Sequence, residues 1–124
     1  MSRLQTGFNE SPRVTQPARR LACQQARASA TPLYVAPAGF TATIGAIVIC
    51  NTSASAVAIR LYHAISGESF GAANALLYDL SIVVGSTTTV ELPIYLSPGD
   101  RIGFYAATAA AITFTVYGRE SPAS

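Results

Sequence analysis

The chain has 124 residues, which is enough for one domain with its own core and too few for two. Only 11% of them are charged, against roughly 25% in an average soluble domain, so we expect part of the surface to be covered by neighbouring molecules. The longest apolar run is IGAIVIC at 44–50, far shorter than the roughly 18 residues of a membrane helix, so we expect no membrane-spanning segment.

Residues 1–30 differ in charge from the rest of the chain. They hold five arginines against one glutamate, a net charge of +4, whereas residues 31–124 hold three arginines against five acids, a net charge of −2. All eight basic residues are arginines, which suit planar contacts with carboxylates at interfaces. The segment has no apolar core of a secretory signal, and Pro12 and Pro17 would interrupt an amphipathic helix.

We therefore predict that residues 1–30 form an extended, basic interaction arm. A weak helical period at 18–30 would allow one or two helical turns against a partner, too few to be stable alone. The residues expected to contact that partner are Arg3, Leu4, Phe8, Arg13, Val14, Arg19, Arg20, Leu21 and Arg27.

From residue 31 onward, short apolar and β-branched runs alternate with turn signals at the spacing of sandwiches and barrels. The predicted strands are 33–36, 41–50, 57–64, 75–84, 87–92, 102–106 and 111–117. We predict an all-β fold, an antiparallel β-sandwich of seven to eight strands, jelly-roll-like or immunoglobulin-like, over residues 31–118. Residues 119–124 are predicted to be a short C-terminal tail.

The alternation within these runs predicts which side chains share a face. In 41–50 we expect Ile44 to lie on the same face as Ala46, Val48 and Cys50, and Ile47 to lie on the opposite face. The loop 65–74 is predicted to be an exposed tip, and several tyrosines fall opposite the aliphatic positions of their strands. The candidate surface contacts are Tyr62, Tyr105, Tyr117, Glu68 and Phe70.

The residue types argue against catalysis. His63 is the single histidine, so no histidine-based triad or metal cluster can be assembled around it without distant partners, and we interpret it as a structural or interface residue. Cys23 and Cys50 show no metal-binding or redox spacing. Asp100 reads as a turn residue in SPGD. We therefore predict no enzyme activity, no cofactor and no metal, and the sparse arginines of the arm argue against nucleic acid.

Three stretches carry a resemblance to a known group of proteins. They are TPLYVAPAGFTATIGAIVICNTSASAVAIRLYHA, LLYDLSIVVGSTTTVELPIYLSPGDRIGFYAA and ITFTVYG, which together cover about residues 31–118. These stretches resemble small β-sandwich virion proteins of tailed bacteriophages. The resemblance implies a head decoration (cement) protein or a tail component, and it includes no counterpart of the arm.

From the residues and the resemblance together we expect a non-enzymatic virion structural protein on the capsid surface. Its sandwich and arm would clamp neighbouring capsid subunits, with the major capsid protein or other virion subunits as partners and a homo-oligomer, a trimer, as the assembled form. One alternative is a phage tail or neck protein, and another is a carbohydrate- or receptor-binding module. A third is a trimeric sandwich of the complement-globular or tumour-necrosis-factor type, which LSPGDRI resembles.

Overall fold

A computed structural model describes residues 17–123, which form nine strands and one short 3-10 turn at Ala72–Asn74. None of these residues lies in a helix long and apolar enough to cross a membrane. The strands are β1 (Arg19–Gln25), β2 (Thr31–Val35), β3 (Phe40–Asn51), β4 (Val57–Ala64), β5 (Ala75–Ile82), β6 (Thr87–Val90), β7 (Ile94–Leu96), β8 (Arg101–Ala106) and β9 (Ile112–Pro122).

The strands form two antiparallel sheets packed face to face, which confirms the predicted β-sandwich. The five-stranded sheet has the order β1-β9-β3-β6, with β7 also pairing with β3, and the four-stranded sheet has the order β2-β8-β4-β5. The sandwich therefore has two lateral edges. One is formed by β1 and β2, and the other by β5 together with β6 and β7.

The core lies between the sheets and is built from aliphatic side chains around one aromatic pair. Phe104 of β8 meets Phe114 of β9 edge to face, with ring centroids 5.1 Å apart. Around them pack fully buried isoleucine and leucine side chains from β3, β4, β8 and β9, including Ile47, Ile59 and Leu61. In β4, β8 and β9 these side chains come from alternate positions of the strand, as the period of two requires.

A β-bulge in β3 changes which side chains of that strand face the core. The register with β9 shifts between Ile44 and Ala46, so Ile44 and Ile47 are both buried while Ala46 is half-exposed. The predicted grouping of Ile44 with Ala46, Val48 and Cys50 is wrong for this reason. Gly118 of β9 lies opposite the bulge, where a Cβ atom would collide with the backbone oxygen of Thr43.

The sandwich begins earlier in the chain than residue 31. Residues 19–25 form β1, which pairs along β9, and the helical turns considered for 18–30 are replaced by this strand. Ala26 is 1% exposed, and its N–H donates to the carbonyl of Ile112 at 2.9 Å. Small side chains such as Ala22 and Ala26 fit close to the core, so this polar segment forms a strand without an apolar run. At the other end β9 continues to Pro122 and includes most of the predicted tail.

Candidate assembly surfaces

The β1–β2 edge is closed by a polar bridge between the sheets. The carboxylate of Glu120 in β9 accepts a hydrogen bond from the Arg19 guanidinium of β1 at 2.8 Å and another from the Tyr34 hydroxyl of β2. Burial, and then the hydrogen bond to Glu120, raise the pKa of Tyr34 above its ordinary value. Gln24 adds a bond to the Leu33 carbonyl at 3.3 Å. These side-chain bonds tie β1 and β9 of one sheet to β2 of the other.

The residues predicted to form the arm divide into two groups. Arg19 and Arg20 lie in β1, Leu21 packs partly buried against the core, and Arg27 follows the strand with its carbonyl accepting from Ala106 at 3.0 Å. The remaining candidates lie outside the described residues: Arg3, Leu4, Phe8, Arg13 and Val14. Their role as partner contacts stays a prediction.

The opposite edge, formed by β5, β6 and β7 with their connecting turns, carries seven of the ten exposed large apolar side chains of residues 17–123. Tyr95 is 69% exposed and Leu92 is 66% exposed. The exposed set here, which we call the open edge, is Leu76, Tyr78, Leu80, Val83, Val84, Leu92 and Tyr95. Exposed apolar side chains concentrated in this way are typical of interaction sites, which makes this edge the candidate assembly surface.

A groove opens into the sandwich at this edge, between β4 and β5 on one side and the β6–β7 segment on the other. Its cavity volume is about 300 Å³, and its lining side chains are mostly apolar, with the His63 imidazole and the Tyr95 hydroxyl as polar groups. The Nε2 atom of His63 is buried and has no hydrogen-bond partner among residues 17–123. The residues around the groove are His63, Leu76, Leu77, Val90, Leu92, Pro93, Ile94 and Tyr95.

Pro93 explains why the groove is accessible. It separates β6 from β7, and because proline has no backbone N–H it cannot continue the ladder with β3. The five-stranded sheet therefore ends in two short strands joined by Glu91, Leu92 and Pro93. His63 and Pro93 meet in one groove because β6 and β7 both pair with β3 and so bring the link between them beside β4.

The outer face of the four-stranded sheet carries a stack of aromatic and charged side chains. The guanidinium carbon of Arg60 lies 4.1 Å from the ring centroid of Tyr78 and 4.7 Å from that of Tyr105, on the two flanking strands. Asp79 accepts from Arg60 at 2.7 Å, and this bond holds the pKa of Asp79 below its ordinary value. Asp79 has a φ of +56°, so the charged pair sits on an irregular edge strand.

The loop 65–74 covers part of this face. The Phe70 ring lies over Gly103, its centroid is 5.7 Å from that of Tyr62, and the Arg101 guanidinium approaches it to 4.7 Å. Tyr62, predicted as a surface contact, is 3% exposed because Phe70 covers it. Phe70 itself is half-buried in the same packing and does not form an exposed tip.

The other candidate surface residues are not brought into one site. Tyr105 is half-buried in the stack with Arg60, and Glu68 is exposed in the loop. Tyr117 is exposed on the outer face of the other sheet. The predicted contacts therefore lie on different surfaces, whereas the open edge brings together residues that no sequence pattern sets apart.

Within residues 17–123 no group of three or more histidine, cysteine or acidic side chains could hold a metal ion. Cys23 is exposed and Cys50 is half-buried, and both are free thiols. Asp100, predicted as a turn residue, accepts from the N–H groups of Ser97 at 2.9 Å and Ser66 at 3.0 Å. It thus holds the turn before β8 against the loop 65–74.

Comparison with protein-family models finds no match to this chain, and comparison with curated proteins finds none. Solved structures do show similar folds. A chain of Bacillus endospore appendages, described as disulfide-linked pili, aligns with a TM-score of 0.53 and 13% identity, over 99% of this chain and 100% of that one. A chain of infectious bursal disease virus, Gx strain, aligns with a TM-score of 0.47 and 14% identity, over 83% of this chain and 33% of that one. The similarity to the appendage chain establishes a shared fold.

Proposed function

We propose that the chain is a non-enzymatic structural subunit of a virion, bound at the capsid surface as a decoration protein. The observation that carries this proposal is the open edge, where apolar side chains surround a groove. Leaving Leu92 and Tyr95 in water has no benefit to an isolated domain, whereas burial of each stabilises an interface by about 1.5–3 kcal/mol. The low charge content of the chain supports the same conclusion.

The strand order also supports a structural role. Consecutive strands alternate between the two sheets from β1 to β4, and β8 and β9 again lie in different sheets. If β6 and β7 are counted as one interrupted strand, this is the order of a jelly roll, an architecture common in viral capsid domains. The resemblance of residues 31–118 to phage virion proteins supports the same structural role.

In this proposal the N-terminal arm binds neighbouring subunits. Ordering its backbone costs about 1–2 kcal/mol per residue, so apolar anchors must be buried along with any arginine–carboxylate pairs. Leu4 and Phe8 are the larger apolar side chains outside the described residues that could serve. Arg19 is already paired with Glu120, which fixes the point where the arm leaves the sandwich.

Particle occupancy of a truncated chain tests the proposal. The deletion should remove residues 2–16 and keep residues 17–30, because β1 and Ala26 belong to the folded sandwich. We expect full-length protein to copurify with particles of its source and to be released as particles are disrupted. The truncated chain should keep its β-sheet circular dichroism and lose most of its occupancy. Absence of the full-length chain from particles would overturn the proposal.

A second candidate is a subunit of a surface fibre, favoured by the full-length fold match to the appendage chain described as disulfide-linked pili. Antibody labelling distinguishes the two candidates, because a fibre subunit would be labelled along cell-surface filaments and a decoration protein on particles. Cys23, the exposed thiol, provides a second readout. A disulfide-linked fibre of this chain would dissociate on reduction, and a Cys23→Ser variant would show whether that thiol forms the link.

A further inference from the structure

We propose that the groove of the open edge receives the N-terminal segment of a second copy of this chain, with Phe8 as the anchor and Leu4 beside it. This inference rests on the proposed function, since it requires copies to lie next to one another. It goes further by naming the occupant of the groove and the segment that the arm contributes.

The chemistry of the groove fits an extended peptide with large apolar side chains. A cavity of about 300 Å³ is at the lower end of the range for small-molecule pockets, which suits one or two large side chains. His63 lines the groove, and its buried Nε2 has no partner among residues 17–123. A peptide brings backbone N–H and C=O groups at every residue, so a segment in the groove can offer the imidazole polar groups in addition to filling the apolar space.

The residues before β1 have the matching pattern. Leu4 and Phe8 are four positions apart, so an extended segment would present both side chains on one face. Arg3 directly precedes Leu4, and Glu91 is an exposed carboxylate beside Leu92 at the rim of the groove. The segment therefore supplies a cation next to its apolar pair, where the groove has an anion next to its apolar wall.

The topology places the origin of the arm and the groove at the same level of the sandwich but on opposite edges. Arg19 pairs with Gly118, Gly118 pairs with Ile44, and Ile44 pairs with Ile94, which lines the groove. These pairings cross the five-stranded sheet in three steps, about 14 Å in all. The described chain begins at the β1–β2 edge, which we call the closed edge. A neighbour whose open edge faces this closed edge presents its groove at the same level of the sandwich.

The length of the segment is sufficient for this connection. Arg19 lies eleven positions after Phe8, and a fully extended segment of that length reaches at most about 36 Å. That reach also spans the roughly 14 Å across the sheet, so insertion into the segment's own groove is the competing arrangement, which isotope labelling separates from insertion into a neighbour. Contact from the closed edge of one copy to the open edge of the next is head to tail, and repetition of it produces a ring or a filament.

Photo-cross-linking of full-length protein tests the occupant directly. Unlabelled chain carrying Phe8→p-benzoylphenylalanine is mixed with wild-type chain uniformly labelled with ¹⁵N, illuminated and digested for mass spectrometry. We expect the photoreactive residue to join ¹⁵N-labelled peptides that contain Leu76, Leu92 or Tyr95. The same residue at Asn9, on the opposite face of an extended segment, should join these peptides much less. Cross-links only within the unlabelled chain, or to peptides elsewhere, would overturn the inference.

Self-association measured by analytical ultracentrifugation provides the second test. We expect Phe8→Ser to weaken the association constant by about 30-fold or more, because one large apolar side chain loses its burial. The neighbouring Asn9→Ser should leave it nearly unchanged. Equal constants for Phe8→Ser and wild type, or a wild-type chain that stays monomeric, would contradict the inference. A chain found on particles with Phe8 cross-linked to another protein would overturn this inference alone, whereas absence from particles would overturn the proposed function.

Discussion

Tyr34 in the four-stranded sheet donates a hydrogen bond to Glu120 in the five-stranded sheet, and Arg19 binds the same carboxylate at 2.8 Å. This bridge ties the two sheets together at the β1–β2 edge. At the opposite edge the sheets are separated by the groove beside His63 and Tyr95. The sandwich is thus asymmetric, with one edge held by polar bonds and the other exposing apolar side chains, as expected of a subunit that joins its neighbours head to tail.

The bridge predicts an alkaline dependence of stability. Because the folded state raises the pKa of Tyr34, its contribution is complete below the unfolded value of about 10 and declines as the pH rises above it. We expect Tyr34→Phe to lower the free energy of unfolding by about 1.5–3 kcal/mol at neutral pH, as expected for a hydrogen bond to a charged group. The difference from wild type should shrink at about pH 11.

Urea unfolding at the two pH values provides this measurement. Tyr117→Phe is the matched control, because the Tyr117 side chain is 43% exposed on an outer face and its loss should change stability little. A Tyr34→Phe variant as stable as wild type at neutral pH would show that the bond to Glu120 does not hold the sheets together.

The bulge in β3 predicts opposite outcomes for two neighbouring glycines. An alanine Cβ at Gly118 would collide with the backbone oxygen of Thr43, whereas one at Gly45 would lie 3.9 Å from its nearest neighbour, the oxygen of Tyr117. We expect Gly118→Ala to lower the free energy of unfolding by about 3 kcal/mol, since backbone must move. Gly45→Ala should stay within about 0.5 kcal/mol of wild type. Similar urea midpoints for the two variants would contradict this account of the bulge.

The Phe70 ring lies over Gly103 on the outer face of the four-stranded sheet, so we expect substitutions at the two positions to be energetically coupled. A Cβ at Gly103 would lie 2.5 to 2.7 Å from atoms of the Phe70 ring, so Gly103→Ala must displace that ring and uncover Tyr62. We expect a loss of about 1–3 kcal/mol from Gly103→Ala alone, and a much smaller loss in a Phe70→Ala background. A double-mutant cycle by urea unfolding measures the coupling, and additive losses would show that Phe70 does not cover this position.

Replacing His63 by leucine should change the stability of the domain and its self-association in opposite directions. His63→Leu removes a buried nitrogen that has no partner among residues 17–123, so the isolated domain should be more stable by about 1 kcal/mol. The same substitution removes the imidazole from the lining of the groove, so self-association should weaken. Thermal unfolding and sedimentation on the same samples check both effects. Lower stability with unchanged association would mean that His63 is satisfied within its own copy.

Much of the fold follows from period-two alternation and turn residues. The predicted strand at 57–64 matches β4 residue for residue, and SPGD forms the turn before β8, with Asp100 bonding to Ser97. The bulge at Gly45 could not be predicted, because it depends on the register of β3 against β9. β1 was also missed, since a polar strand at an edge has little apolar alternation and is fixed by long-range pairing.

The candidate site could be predicted only in parts. Low charge content and a distinct N-terminal segment indicated interactions with other molecules, but the tyrosine alternation pointed to Tyr62, which the Phe70 ring covers. The groove joins Leu76 of β5 in one sheet and Leu92 in the link between β6 and β7 of the other sheet. Such a site depends on the packing of two sheets, and local sequence patterns contain no information about it.

The position and orientation of the chain in a particle test the central claim most directly. An electron cryomicroscopy map of particles from its source, at a resolution that separates single strands, would show this position and orientation. We predict sandwich density on the capsid surface, with Leu92 and Tyr95 of each copy buried against a neighbouring subunit. Particles without this density, or copies whose β5–β7 edge faces solvent throughout, would contradict the account.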